Sequence, residues 1–160
     1  LEIDPARALR IGENLARLGL AAEVHAADAG AGGAWRARAP FDAILLDAPC
    51  TASGIARRHP DVVLSRRPGA PGQLALQQKR LLESLWPLLR VGGRLLYAVC
   101  SVFEEEGPGQ AKAFLARHPE AGLAAMRQRR PSESPEPWSE GGEPTVTDGF
   151  FYALLTKEHA

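Results

Sequence analysis

Two short, almost uninterrupted apolar runs, residues 41–46 (FDAILL) and 94–99 (RLLYAV), constrain this fold more than any other feature. Their length suits strands. Their lack of strict polar alternation marks strands covered on both faces, the pattern of a parallel sheet between helices. Around them the chain alternates helix and strand signals. Asp4-Pro5 combines an N-cap carboxylate with proline at the first helical position, Leu9, Ile11, Leu15 and Leu18 approximate one helical face, and Gly19 supplies a stop. The strongest helix spans 73–90, with Leu74, Leu81, Leu82, Leu85, Leu88 and Leu89 as its stripe and Gly92-Gly93 after it. A further helix is expected at about 105–117, strand fragments at 1–3 and 23–27, and an aromatic strand at 149–156 (GFFYALLT). Residues 120–148, rich in Pro, Gly, Ser and Glu, read as a surface excursion around one short strand. The order predicts an α/β doubly wound sheet, with ligands at the carboxyl ends of its strands.

Composition sets outer bounds. A chain of 160 residues, 45% hydrophobic and 24% charged, suits one domain with a packed core and excludes collagen, fibrous and wholly disordered classes. Nineteen basic and nineteen acidic residues give no bulk attraction for nucleic acid. Neither a membrane-length apolar run nor a signal peptide is present, and two cysteines make no disulfide framework, so the expectation is a cytoplasmic, reducing setting. Opening at Leu1 inside a strand-like fragment, residues 1–160 read as the C-terminal portion of a single catalytic domain within something longer.

The chemistry-bearing residues follow the two buried strands. Asp47-Ala48-Pro49-Cys50 comes directly after the first, and Cys100-Ser101 directly after the second. In a parallel sheet both segments emerge at one edge, and neighbouring strands lie roughly 5 Å apart. Two thiols and a carboxylate therefore converge on one crevice. The competing reading makes both cysteines small buried hydrophobes, since reactivity depends on surroundings that sequence does not give.

The run DAPCTASGIARRHPD, the later WPLLRVGGRLLYAVCSVFEEE and the terminal DGFFYALL resemble the RNA 5-methylcytosine methyltransferases. Within them the likeness is closest to the bacterial 16S ribosomal RNA enzymes of the Sun/Fmu (RsmB) type. It covers most of the chain and weakens at about 120–145. The resemblance implies a Rossmann-like S-adenosylmethionine-dependent methyltransferase fold, here incomplete at its N-terminal side because no glycine-rich cofactor loop is present. It also implies why two thiols are wanted. Carbon 5 of cytosine attacks a methyl sulfonium only after a thiolate has added to carbon 6. Cys100 maps onto the nucleophile and Cys50 onto the cysteine that assists breakdown of the adduct. DNA cytosine methyltransferases use a Pro-Cys cysteine instead, the mirror assignment.

By the same resemblance, Asp47 contacts the cytosine ring nitrogen or exocyclic amine, stabilising charge as sulfur adds. Glu2, Asp28 and Asp47 are the residues expected at the cofactor, Glu2 through ribose hydroxyls and Asp28 near adenine. Each acidic residue also has a plainer reading as a turn or cap residue. Arg57, Arg58 and His59 are expected at RNA phosphates beside the target base, with Arg66 and Arg67 adding positive charge and Arg127, Arg129 and Arg130 left as surface. The expected partner is single-stranded or partly unfolded 16S ribosomal RNA, with no metal and no membrane. Where the family has threonine before the second cysteine, this chain has Val99. Two rival functions remain: a non-catalytic RNA-binding or assembly module with this fold, and a different Rossmann methyltransferase acting on amino groups. The intact cysteine pair counts against both. Removing the first strand of such a sheet exposes interior edges, so the isolated piece is expected to be unstable.

Overall fold

The structure is a computed structural model that describes residues 1–131 and 147–159. Its first helix, α1 (Pro5–Leu18), begins as the sequence dictates. The Asp4 carboxylate accepts from the backbone N–H of Ala6 at 2.8 Å, and Gly19 closes the helix at φ 66°, a left-handed conformation that glycine adopts without steric cost. The expected apolar face is not buried, however. Leu9 and Leu18 are exposed, and Ala8 is the buried residue of α1.

Strand β1 (Phe41–Asp47) leads through a loop and the single turn α2 (Asp61–Leu64) to helix α3 (Ala70–Leu85). The helix is shorter than its stripe suggested, because Pro87 has no N–H to donate to the preceding turn and the α-helical ladder ends at Leu85, although Trp86 keeps helical dihedrals. The chain turns through Trp86–Leu88 and enters β2 (Leu89–Val99), so Leu89 is buried in a strand and not on a helix. Helix α4 (Pro108–Arg117) starts with proline in its first turn, and β3 (Ala121–Arg129) and β4 (Phe150–Lys157) complete the sheet.

Sheet order is β1-β2-β4-β3. β1 and β2 are parallel, whereas β4 runs antiparallel to both β2 and β3. The sheet is thus mixed: the parallel pairing expected of the two buried strands holds for β1 and β2, and β4 and β3 add antiparallel pairs beyond them. Within 120–148, read as an excursion around one short strand, β3 is a strand of nine residues; residues 132–146 lie outside the described residues. The fragments 1–3 and 23–27 make one isolated parallel bridge, Glu2 to Ala26, in place of two sheet strands.

The core lies between this sheet and helices α3 and α4. Leu82, Leu85, Trp86, Leu95, Tyr97, Phe114, Phe151 and Leu155 are all buried, each of the aliphatic and phenyl side chains contributing roughly 1.5–3 kcal/mol by leaving water. Trp86 meets Phe114 edge to face with ring centroids 5.1 Å apart. This packing fixes β2, and β2 fixes where its carboxyl end delivers Cys100.

Candidate active site at the carboxyl ends of the parallel strands

Asp47 and Ala98 are register partners, and Ala48 N–H donates to the Ala98 carbonyl at 3.0 Å, extending the ladder beyond β1. Cys50 and Cys100 leave the two strands on the same side. Their sulfurs are 3.4 Å apart, both half-buried and unoxidised. The segments behind them cross closely. Gly54 N–H donates to the Cys100 carbonyl at 3.0 Å, and Gly149 N–H donates to the Gly54 carbonyl at 2.8 Å. A Cβ on Gly54 would stand 1.9 Å from the Gly149 carbonyl oxygen, so no larger residue fits this crossing.

The two thiols are electrostatically unequal. Cys100 is lowered to about 7, first because the Cys50 S–H donates to its thiolate; burial, Asp47 and Glu106 oppose that effect. Cys50 is pushed up, first by the same hydrogen bond seen from the donor side and then by burial. Of the two thiols Cys100 is therefore the one that ionises first as pH rises through neutrality, with Cys50 as its proton-bearing neighbour.

Each carbonyl of the Pro49–Cys50–Thr51 stretch is held. Gln78 Nε2 donates to the Pro49 carbonyl at 2.9 Å, and Arg66 donates to those of Cys50 and Thr51 at 3.2 and 3.1 Å. Arg66, read from sequence as part of a basic loop, is thus turned onto the cysteine loop. Glu106 is fully buried and accepts from Thr51 and Ser101, the residues that follow the two cysteines. Sequence reading missed Glu106 and Gln78. Three consecutive glutamates, Glu104-Glu105-Glu106, give no sign of which one turns inward.

Glu2, Asp28 and Asp47 line one cleft of about 810 Å³ together with Cys50 and Cys100. Its size suits a nucleoside-bearing ligand. Glu2 Oε1 accepts from Asp4 N–H and pairs with Arg7, both at 2.9 Å. Asp28 accepts from Gly30 N–H at 2.7 Å and from Arg80 at 2.9 Å, which holds its carboxyl below the usual range. Ile3 and the exposed side of β1 face the same cleft, and among the described residues β1 pairs with β2 alone.

Arg57, Arg58 and His59 are exposed beyond the cysteine loop. Arg58 pairs with Asp148, whose side chain is almost buried, so this arginine ties the loop to the start of β4. Arg127 and Arg129 stand on β3, opposite Tyr152 and Phe150. Among the described residues no group of His, Cys, Asp and Glu is arranged to hold a metal ion, and no helix is long and apolar enough to cross a membrane.

The family model described as 16S rRNA methyltransferase RsmB/F matches residues 1–156. Ribosomal RNA small subunit methyltransferase B of Sodalis glossinidius is 46% identical over 162 residues, covering 99% of this chain and 36% of that protein. The protein of the same name from Yersinia pseudotuberculosis serotype O:1b is 44% identical, again over 99% of this chain and 36% of its own length. The chain therefore spans little more than a third of these relatives. Among solved structures, PH0851 superposes with a TM-score of 0.76 at 32% identity, covering 98% of this chain and 36% of that one. NSun6 from Pyrococcus horikoshii, solved with SFG, gives 0.71 at 26% identity, covering 99% and 40%.

Proposed function

Because this chain belongs to the 16S rRNA methyltransferase RsmB/F family, we propose that it is the C-terminal portion of a catalytic domain that methylates carbon 5 of a cytosine in 16S ribosomal RNA, acting in the cytoplasm. The observation that carries this reading is the thiol pair, 3.4 Å apart at the carboxyl ends of two parallel strands, with the Cys100 thiol lowered by its neighbour. S-adenosylmethionine supplies the electrophilic methyl group when bound. Glu2, Asp28 and Asp47 would hold it, since all three line the cleft that also contains both sulfurs.

The chain's own residues do the rest. Cys100, as thiolate, adds to carbon 6 of the cytosine, and carbon 5 gains the electron density it needs to act as a nucleophile. Asp47, the last residue of β1, accepts from the exocyclic amine or gives a proton to the ring nitrogen, which neutralises the negative charge that builds on the ring as sulfur adds. After transfer a water molecule in the open cleft takes the proton from carbon 5, the electron pair left behind closes the carbon 5–carbon 6 double bond, the carbon–sulfur bond breaks, and the Cys100 thiolate is restored. Cys50, held protonated beside that sulfur, assists the expulsion by offering it a hydrogen bond. A cytosine reaches this crevice only when unstacked, which favours single-stranded or partly unfolded RNA. Arg57 and His59, exposed beyond the cysteine loop, would meet its phosphates.

The test uses the full-length protein that contains this chain, with S-adenosylmethionine and unmodified 16S RNA. Protein–RNA adducts are read on a denaturing gel for Cys50→Ala and Cys100→Ala. The expected result is an adduct that accumulates in Cys50→Ala and is lost in Cys100→Ala. The reverse makes Cys50 the nucleophile. No adduct in either moves the weight to a non-catalytic RNA-binding module with this fold.

A further inference from the structure

Both cysteine loops end on one buried carboxylate. Glu106 is fully inaccessible to solvent. Its Oε1 accepts from Thr51 N–H at 2.8 Å and from Gln78 Nε2 at 3.2 Å. Its Oε2 accepts from the hydroxyls of Thr51 and Ser101, each at 2.5 Å. Thr51 follows Cys50 and Ser101 follows Cys100, so a single side chain takes hydrogen bonds from the neighbour of each sulfur. Ser53 completes the link. Its hydroxyl lies 3.1 Å from that of Ser101 and accepts from Val102 N–H at 3.1 Å. Glu106 itself is anchored from the other side, where its carbonyl accepts from the buried Tyr97 hydroxyl at 2.5 Å.

A fully buried carboxylate is costly unless its lone pairs are satisfied, and here four donors converge on two oxygens. Removing one partner of such a set leaves the others aimed at nothing, which is why the arrangement resists drift. It also sits in a useful place. The sulfurs touch each other, but no backbone hydrogen bond joins Cys50 directly to Cys100; their separation is set by what holds the residues behind them.

We infer that Glu106 is a positioning residue that clasps the loop after β1 to the loop after β2 and thereby keeps the Cys50 and Cys100 sulfurs within hydrogen-bonding distance. The inference rests on the reading of the two cysteines given above. Glu106 reaches the reaction through Thr51 and Ser101, and is not itself a catalytic residue.

Charge and position act in opposite directions on Cys100, which makes the role measurable. The groups that bear on Cys100 are Cys50, Asp47 and Glu106. The negative charge of Glu106 alone disfavours the Cys100 thiolate, whereas the Cys50 hydrogen bond it maintains favours it. The experiment follows the pH dependence of Cys100 alkylation by iodoacetamide in the full-length protein, site by site by peptide mass, for wild type, Glu106→Gln, Glu106→Asp and Ser101→Ala. The expected wild-type inflection is about 7. In Glu106→Gln it rises toward the ordinary thiol value of about 8.5, and alkylation at neutral pH falls roughly tenfold. Glu106→Asp, which keeps the charge but loses the reach, behaves the same way.

If Glu106→Gln does not fold, Ser101→Ala cuts only the Cys100 side of the clasp, and a smaller rise in the same direction is expected. An inflection that falls in Glu106→Gln means that Glu106 acts by charge alone and overturns the inference. An unchanged inflection with a lower melting temperature overturns it too, because the carboxylate then only stabilises the fold. Alkylation needs neither RNA nor cofactor, so this result stands apart from the adduct gel: a wild type without an adduct defeats the cysteine mechanism, not the clasp.

Discussion

The Cys50 sulfur lies 3.4 Å from the Cys100 sulfur across fifty residues of chain, and the contact lowers the Cys100 thiol while raising that of Cys50, the proton donor of the pair. Removing the donor has a definite consequence. Cys50→Ala takes away the largest influence lowering Cys100 while leaving Asp47 and Glu106 in place. The Cys100 thiol should therefore titrate above its wild-type value of about 7, and its alkylation at neutral pH should slow severalfold. Cys50→Ser, which keeps a hydroxyl donor, should recover part of the loss. Site-resolved alkylation rates between pH 6 and 10 provide the check.

The crossing of Gly54 over Gly149 predicts a steric effect. An alanine Cβ at Gly54 would meet the Gly149 carbonyl oxygen at 1.9 Å, so the two segments must separate. Gly54→Ala should cost roughly 1–3 kcal/mol, the usual range for overpacking. It should also weaken the hydrogen bonds that Gly54 makes to Cys100 and Gly149. Urea unfolding measures the first effect and adduct yield the second. Wild-type values for both would show that the loops shift freely.

Acid stability has an identifiable source. His118 sits between Glu120 and Glu83, 2.8 Å from each, and Trp86 Nε1 donates to Glu120 at 2.7 Å. Glu120 is lowered to about 2, first by its own backbone N–H and then by His118 and Trp86. Burial raises Glu83, but His118 and Arg117 outweigh it and leave it lowered. A folded-state value below the unfolded one, about 4.3 for glutamate, contributes stability that is present above that value and is lost as pH falls toward 2. The melting temperature should accordingly drop between about pH 5 and pH 2, and Glu120→Gln should flatten that decline. Circular dichroism melts across this range decide it; an equally steep fall in the variant would place the acid sensitivity elsewhere.

Arg57 and Arg58 are adjacent yet should behave differently toward RNA. Arg58 is committed to Asp148, whereas Arg57 is exposed at the same loop. Arg57→Ala should reduce the salt dependence of RNA binding by the equivalent of one phosphate contact, roughly 0.7 in log–log slope for a single strand. Arg58→Ala should change that slope little. Binding titrations from 50 to 200 mM salt compare them, and equal slope changes would mean that Arg58 releases Asp148 to bind RNA.

Leu45 of β1 is 69% exposed, Leu1 and Ile3 are half exposed or more, and all three line the cleft beside the edge of β1 that no other strand pairs with among the described residues. An open apolar strand edge invites association. Leu45→Lys should make the 160-residue chain more soluble when it is expressed alone. In a longer protein whose added residues cover that edge, the same substitution should destabilise the fold. Light scattering of the first and melting of the second are the measurements, and a gain in both would mean that the edge stays open.

Much of the fold was legible because local rules agreed with the tertiary outcome. The apolar runs at 41–46 and 94–99 became β1 and the end of β2, Asp4-Pro5 opened α1, and Gly19 closed it. Where the reading slipped, a long-range term or an overlooked local one was responsible. Pro87 cut α3 short and moved Leu89 from a helix stripe into a strand. The one strand expected within 120–148 could not be located because AGLAAMRQR has neither the alternation nor the β-branched residues of a typical strand. Its pairing with β4 supplies the stability that its composition does not.

That two thiols and a carboxylate follow two buried strands is legible without coordinates, since strand burial is written in a contiguous run of side chains and the residues after it are read directly. Tertiary structure alone decided that the sulfurs meet at 3.4 Å, that Arg66 and Gln78 brace the Cys50 loop, and that Glu106, not Glu104 or Glu105, lies between the cysteine loops. Those contacts join residues up to 55 positions apart. They depend on strand register, sheet order and the angle at which loops leave the sheet, and one-dimensional pattern carries none of these quantities.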